Sequence, residues 1–128
     1  MTGAQALHWF KFDDFYTEIK LVAKPNAIFA AWIYSLLRIS KKIDALIEAH
    51  YFNTLGNYWD VERKYIDEEY SNIPFPFTKI HTPAFVIQYE WALEQLEGCL
   101  NTWSGLQKFI LANQYNPVDE LMIRIKSF

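Results

Sequence analysis

Hydrophobic and polar positions along this chain follow helical periods in most segments and strand patterns in two. Between residues 12 and 23, apolar side chains recur every three or four positions, which predicts an amphipathic helix. The apolar positions of this helix are Phe12, Phe15, Tyr16, Ile19 and Val22. A Lys-Pro-Asn sequence at residues 24–26 predicts the end of the helix, because proline cannot continue it.

Two segments have the pattern of strands. Residues 27–34, "AIFAAWIY", are apolar throughout, which is typical of a strand buried on both faces. A helix and a tight turn before such a strand predict the second half of a strand-helix-strand unit, whose first strand would end near residues 1–2. Apolar and polar residues alternate over 84–90, which predicts a second strand.

The remaining segments predict helices joined by one irregular loop. Helical patterns cover residues 40–56, 59–70, 92–103, 104–114 and 116–128, and prolines interrupt residues 71–83. We therefore expect a mostly helical α+β fold with about two strands, 27–34 and 84–90, packed by several helices. A chain of 128 residues without repeats or linker tracts predicts a single domain over residues 1–128.

Composition narrows the class of protein. Hydrophobic residues make up 52% of the chain and aromatic residues 18%, which predicts a folded polypeptide. The net charge of −3, with no basic cluster longer than Lys41-Lys42, argues against nucleic acid as a partner. No apolar run approaches the roughly 20 residues that span a bilayer, and no signal peptide is apparent. We therefore expect a cytoplasmic protein that does not enter membranes.

Cysteine and histidine offer little independent chemistry. The single cysteine, Cys99, excludes an internal disulfide and any pair of cysteines for metal or redox chemistry. It lies in a helical pattern, which favours a small core residue over a nucleophile. His8, His50 and His81 are far apart in the sequence and have no ligand-spaced partners, so no metal site is predicted.

Four segments together resemble a known family. "AQALHWF", "FYTEIKLVAKPNAIFAAWIYS", "YWDVERKYIDEEYSNIPFPF" and "EWALEQLEGCLNTWSGLQKF" are similar to the C-terminal half of class I S-adenosylmethionine-dependent methyltransferases, in the branch of trans-aconitate methyltransferase. The resemblance covers nearly the whole chain. It implies a truncated Rossmann-like methyltransferase fold, in which residues 4–9 follow strand four of the family's seven-stranded sheet.

The resemblance also implies a site, because ligands of parallel sheets bind at the carboxyl ends of the strands. His8 is the candidate catalytic residue: it could deprotonate a hydroxyl or amine acceptor, whereas a carboxylate acceptor would need no base. The candidate substrate-binding residues are Trp9, Trp32, Tyr34, Tyr58 and Trp59. Gln5 and Ala6 would contact the cofactor only in a completed fold. The alternative for the aromatic residues is a place in the core, and Trp59 in particular suits a packing anchor.

The chain departs from the family at the cofactor site. The family's first strand is followed by a glycine-rich turn, which this chain cannot form with its separate glycines, Gly3, Gly56, Gly98 and Gly105. No Asp or Glu follows a predicted strand at the position that would bind the ribose hydroxyls. We therefore expect a methyltransferase fragment without the N-terminal strands that bind S-adenosylmethionine, and with no cofactor bound by this chain alone.

Missing neighbours would leave open strand edges beside apolar faces, and such surfaces favour a partner. The expected partner is a second copy, in a homodimer, or a separate complementing N-terminal half. The alternative function is a non-enzymatic dimerisation or interaction module derived from a methyltransferase. A third possibility is a helical cap that binds a small apolar or aromatic ligand between Trp and Tyr side chains.

Overall fold

The computed structural model describes residues 1–128 and contains six α-helices and one two-stranded parallel sheet. Helices and helical turns hold about half of the residues, which confirms a mostly helical α+β fold. In chain order the elements are β1 (Thr2–Ala4), α1 (Phe12–Val22), β2 (Ala30–Trp32), α2 (Lys41–Ala49), α3 (Arg63–Asp67), α4 (Leu93–Asn101), α5 (Ser104–Asn113) and α6 (Pro117–Ile125).

The chain forms two compact units. The first contains Met1–Leu36 and Val61–Pro83, and the second contains Leu37–Asp60 and Ala84–Phe128. The single domain expected over residues 1–128 stays a prediction. No helix combines the length and the apolar character that crossing a membrane requires.

The first unit is built on a strand-helix-strand motif. β1 pairs in parallel with β2, with Thr2, Gly3 and Ala4 opposite Ala30, Ala31 and Trp32. Parallel neighbours need a crossover connection, and α1 supplies it. The predicted strand-helix-strand unit is thus confirmed. The second strand is shorter than the predicted 27–34, because its ladder extends only as far as the three residues of β1.

The faces of β2 are not buried as the sequence pattern predicted. Trp32 is 49% exposed, and Ile28 and Tyr34 are exposed as well. Burial on both faces requires helices packed on both sides of the sheet, and this unit supplies a single crossover helix. The apolar run therefore lies largely at the surface.

The predicted strand at 84–90 is wrong. Residues 81–92 form no regular element, and Phe85, Val86, Ile87 and Tyr89 are exposed. A strand is defined by hydrogen bonds to a neighbouring strand, and this segment has none within the chain. An alternating pattern alone does not supply the missing neighbour.

Helix α1 packs its apolar face into an aromatic cluster of the first unit. Asp13 lies in the first turn of this helix, where its negative charge is favourable at the positive helix end. Tyr16 and Ile19 are buried, and the Tyr16 ring meets Phe75 and Phe77 edge to face. These phenylalanines come from the proline-rich loop, so the loop is anchored by aromatic packing.

The turn after α1 depends on Asn26. Its φ of 64° lies in the left-handed region, which asparagine visits more readily than most residues. The sharp turn between helix and strand therefore forms without glycine.

The second unit is a helical cluster. Ser40 begins α2, its hydroxyl accepting a hydrogen bond from the Ile43 N–H at 3.4 Å. The helix then widens into a π-type turn over His50–Thr54. α6 packs against α2 and α4. The buried hydrophobic residues of this unit are Ile47, Tyr51, Leu55, Leu96, Leu100, Leu106, Phe109, Val118, Leu121, Met122 and Ile125.

Trp59 joins the helices of the second unit. Its indole N–H donates to the carbonyl oxygen of Tyr51 at 3.0 Å, and its ring lies 5.9 Å from that of Trp103. Gly105, near the start of α5, is buried directly against the indole. A Cβ added at Gly105 would stand 2.9 Å from two carbons of the Trp59 ring, so the contact requires glycine.

We predict that Gly105→Ala destabilises the protein, because the added methyl group cannot fit beside the Trp59 ring. Overpacking of this kind costs about 1–3 kcal/mol of the free energy of unfolding, measurable by chemical denaturation. Gly98→Ala is the matched control: a Cβ at Gly98 in α4 meets nothing within 4 Å. There alanine should stabilise by about 1 kcal/mol, through helix propensity. Equal effects of both substitutions would contradict the packing argument.

Candidate functional site

The carboxyl ends of the two parallel strands meet at Gln5. Its φ of 51° turns the chain away from β1. Its N–H donates to the carbonyl oxygen of Trp32 at 2.9 Å, and its side-chain amide donates to that of Tyr34 at 3.2 Å. Gln5 therefore fixes the loop after β1 against the chain that follows β2.

A single helical turn, Leu7–Trp9, follows Gln5 and Ala6. The turn places Leu7 and His8 inside, whereas Trp9 is 58% exposed. The Trp9 N–H donates to the carbonyl oxygen of Ala6 at 3.1 Å, which closes the turn. The two adjacent side chains thus differ in burial: His8 lies within the fold, and the Trp9 ring lies at the surface.

The His8 ring has one hydrogen-bond partner, the hydroxyl of Tyr70, whose oxygen lies 2.9 Å from Nδ1. Burial lowers the pKa of His8, and the charge of Arg63 lowers it further, while Glu62 partly opposes the shift. The imidazole is therefore neutral near pH 7. A neutral imidazole offers one N–H donor and one acceptor nitrogen.

A cleft of about 260 Å³ opens beside His8. It is lined by His8, Trp9, Phe10, Lys11, Phe12, Val61, Glu62, Lys64 and Tyr65. The turn after β1 and the start of α1 form one wall, and the segment containing α3 forms the other. The cleft combines aromatic surface with two lysines and one glutamate, so it offers both apolar contact and ionic groups.

Trp32 and Tyr34 lie at and just beyond the carboxyl end of β2. Both are exposed, Tyr34 to 66%, so the alternative that places them in the core is wrong. They do not line the cleft beside His8. Their predicted contact with a substrate stays a prediction.

Tyr58 and Trp59 belong to the second unit, and the polar groups of both are engaged there. The Tyr58 hydroxyl accepts a hydrogen bond from the Asn113 amide at 2.8 Å, and its ring meets Phe109 edge to face. Trp59 packs against Tyr51, Trp103 and Gly105, as described above. These contacts match the packing alternative, while a role in substrate binding stays a prediction.

Neither a reactive cysteine nor a metal cluster is present. Cys99 in α4 is half-buried, and burial raises the pKa of its thiol, which disfavours the nucleophilic thiolate. No three His, Cys, Asp or Glu side chains lie close enough together to hold a metal ion.

Tyr70 is the site residue that the sequence pattern does not reveal. It follows the acidic run Asp67-Glu68-Glu69, which looks like a solvated helix face. The helix ends at Asp67, and the chain turns back so that Tyr70 reaches His8 from 62 positions away. No local periodicity signals such a contact.

No family model matches the chain. A Dictyostelium discoideum protein named "Putative methyltransferase" is 35% identical over 124 residues, which are 94% of this chain and 47% of that protein. A solved structure described as "The Structure of a Putative Type II Methyltransferase from Anaeromyxobacter dehalogenans" matches with a TM-score of 0.83 and 34% identity. That match covers 94% of this chain and 51% of the other.

The chain therefore spans about half the length of the relatives it matches. These similarities support a methyltransferase fragment with a truncated Rossmann-like fold. The methyltransferase names imply S-adenosylmethionine as the methyl donor in the complete proteins.

The residues at the strand ends do not fit that cofactor. The backbone N–H and the side-chain amide of Gln5 are both already hydrogen-bonded within the chain. No Asp or Glu directly follows β1 or β2 to hold ribose hydroxyls. The cleft, at about 260 Å³, is also smaller than the roughly 300–1,000 Å³ of pockets for drug-sized ligands.

We predict that His8 makes folding stability depend on pH. Its folded-state pKa lies below the ordinary 6.5, so the unfolded chain binds the proton first as the pH falls. The stability contributed by neutral His8 is therefore complete above about pH 6.5 and is lost as the pH falls through the folded-state pKa. His8→Gln should flatten the loss of unfolding free energy between about pH 7 and pH 5.

Denaturant titrations across this pH range provide the measurement. His81→Gln is the control for replacing a histidine at an exposed position. His50 is buried with a lowered pKa, so part of the slope should persist in His8→Gln. An unchanged slope in His8→Gln would contradict the prediction.

Proposed function

We propose that this chain is the C-terminal, acceptor-side half of a methyltransferase that acts on a small molecule, and that it does not bind S-adenosylmethionine by itself. The observation that carries the proposal is the cleft beside His8, which opens just after the carboxyl end of β1. Ligands of parallel α/β sheets bind outside the carboxyl ends of the strands. The similarity to half of each relative supports the same interpretation.

Within this proposal, the cleft holds the methyl acceptor. Trp9 presents an exposed ring at its edge, and Lys11 and Lys64 contribute positive charge. His8 contacts the acceptor from within the fold. The branch of trans-aconitate methyltransferase is part of the proposal and rests on the segments "QALHW", "IPFPF" and "TWS".

The donor side is proposed to come from elsewhere. The residues that follow the two strands lack the groups that would hold the cofactor, so a complementing N-terminal half would supply them. His8, Trp9 and the cleft would then form one wall of a site completed by that half.

We predict that the isolated chain gives no saturable heat when titrated with S-adenosylhomocysteine in a calorimeter, because its strand ends lack a carboxylate for the ribose. The Dictyostelium discoideum relative, titrated under identical conditions, is the positive control. Binding at one site per chain would contradict the proposed incapacity and would show a donor site built from other residues. Absence of binding by both proteins would contradict the methyltransferase assignment itself.

A second candidate function is a dimerisation module. One observation favours it: residues 84–91 form an exposed segment without regular structure, whose odd positions are all apolar and whose even positions include Gln88 and Glu90. Its apolar positions are Phe85, Ile87, Tyr89 and Trp91. A segment of this kind pairs readily with a second strand. Two copies of the chain would pair their 84–91 segments and cover each other's apolar side chains.

We predict that the protein is a dimer in light scattering, with a mass near twice the 15.2 kDa of the chain. Ile87→Lys places a charge on the apolar face and should restore the monomer mass. Gln88→Lys, the matched control on the polar face, should leave the dimer intact. A wild-type monomer, or equal effects of the two substitutions, would contradict pairing through this segment.

A further inference from the structure

His8 and Tyr70 form a hydrogen bond in which the chemistry of the two groups determines which one donates. His8 Nδ1 and the Tyr70 hydroxyl oxygen are 2.9 Å apart, a normal hydrogen-bond length. His8 is only 4% exposed, and Tyr70 is half-buried. In such a contact either group can donate, depending on which ring nitrogen of His8 carries the proton.

The Tyr70 hydroxyl is the donor that this pair favours. Burial raises the pKa of Tyr70, so the hydroxyl keeps its proton. Its oxygen has one hydrogen-bond partner in the structure, His8 Nδ1. If Nδ1 donated instead, the Tyr70 proton would have no acceptor within the chain. The Tyr70 hydroxyl proton is therefore directed to His8 Nδ1, and Nδ1 acts as the acceptor.

The protonation state of His8 agrees with this direction. Arg63 disfavours a positive charge on the ring and burial disfavours it more, whereas Glu62 alone favours it. A neutral imidazole has one N–H and one acceptor nitrogen. With Nδ1 accepting from Tyr70, the proton is on Nε2.

The backbone at Tyr70 is strained, which indicates that the contact with His8 has a functional role. Glu69 and Tyr70 have φ values of 51° and 60°, so two consecutive residues other than glycine adopt the left-handed conformation. Such conformations are unfavourable and persist where the surrounding structure enforces them, often at functional sites. Here they bring the Tyr70 side chain back to the turn that carries His8.

We propose that Tyr70 is a positioning residue that holds His8 in the Nε2–H form, so that His8 offers a hydrogen-bond donor, not a proton acceptor, to a ligand in the cleft. The ligand group that His8 contacts is then an oxygen or nitrogen with a free lone pair. Deprotonation of a hydroxyl or amine acceptor by His8, the role suggested by sequence, is replaced by binding and orientation. The proposal rests on the proposed function only in taking the cleft as the acceptor site.

Nuclear magnetic resonance of the ¹⁵N-labelled protein tests the proposal without any ligand. Long-range ¹H–¹⁵N correlations at pH 7.5 distinguish the two neutral forms of a histidine ring, and His8→Gln identifies the His8 signals by their loss. We expect the Nε2–H form in the wild type. In Tyr70→Phe, which keeps the ring and removes the hydroxyl, we expect a mixture of the two forms.

Tyr65→Phe is the matched control, because Tyr65 lines the same cleft and its hydroxyl is not the partner of His8 Nδ1. It should keep the wild-type pattern. The Nδ1–H form in the wild type would overturn the proposal even if Tyr70→Phe failed to fold. An unchanged His8 spectrum in a folded Tyr70→Phe would also overturn it. The spectra require no cofactor, so they are independent of the titration with S-adenosylhomocysteine.

Discussion

The parallel pairing of β1 with β2 is the constraint on which the candidate site depends. Parallel strands cannot be joined by a tight turn, so the chain must cross over through α1. Both strands then end at the same edge, and Gln5 joins the two ends through hydrogen bonds to Trp32 and Tyr34. The turn that carries His8 follows directly. Three ladder residues thus position the chemistry of the first unit.

Aromatic packing compensates for the small sheet. In the first unit, Tyr16 meets the phenylalanines of a loop in which prolines prevent a regular element. In the second, Trp59 fills the space that Gly105 leaves open. Large rings supply extensive apolar contact with few residues, which explains how a chain with so little sheet builds two cores.

The apolar surface that remains exposed bears on function. Ile28, Trp32 and Tyr34 around β2, and the apolar residues of 84–91, are side chains that a complete α/β fold would cover with helices and strands. The matched relatives are about twice as long as this chain. Both facts agree with a methyltransferase fragment.

Sequence by itself determined what depends on neighbours along the chain. Helical spacing located α1, and the Lys-Pro-Asn sequence located its end, because both depend on residues a few positions apart. The prediction of a strand at 84–90 was wrong because a strand needs a neighbouring strand to pair with, and the sequence pattern does not show whether one is present. The contact of Tyr70 with His8 joins residues 62 positions apart, and no local pattern in the sequence predicts it. Only the tertiary structure brings Tyr70 to His8, and the proposed role of His8 depends on that contact.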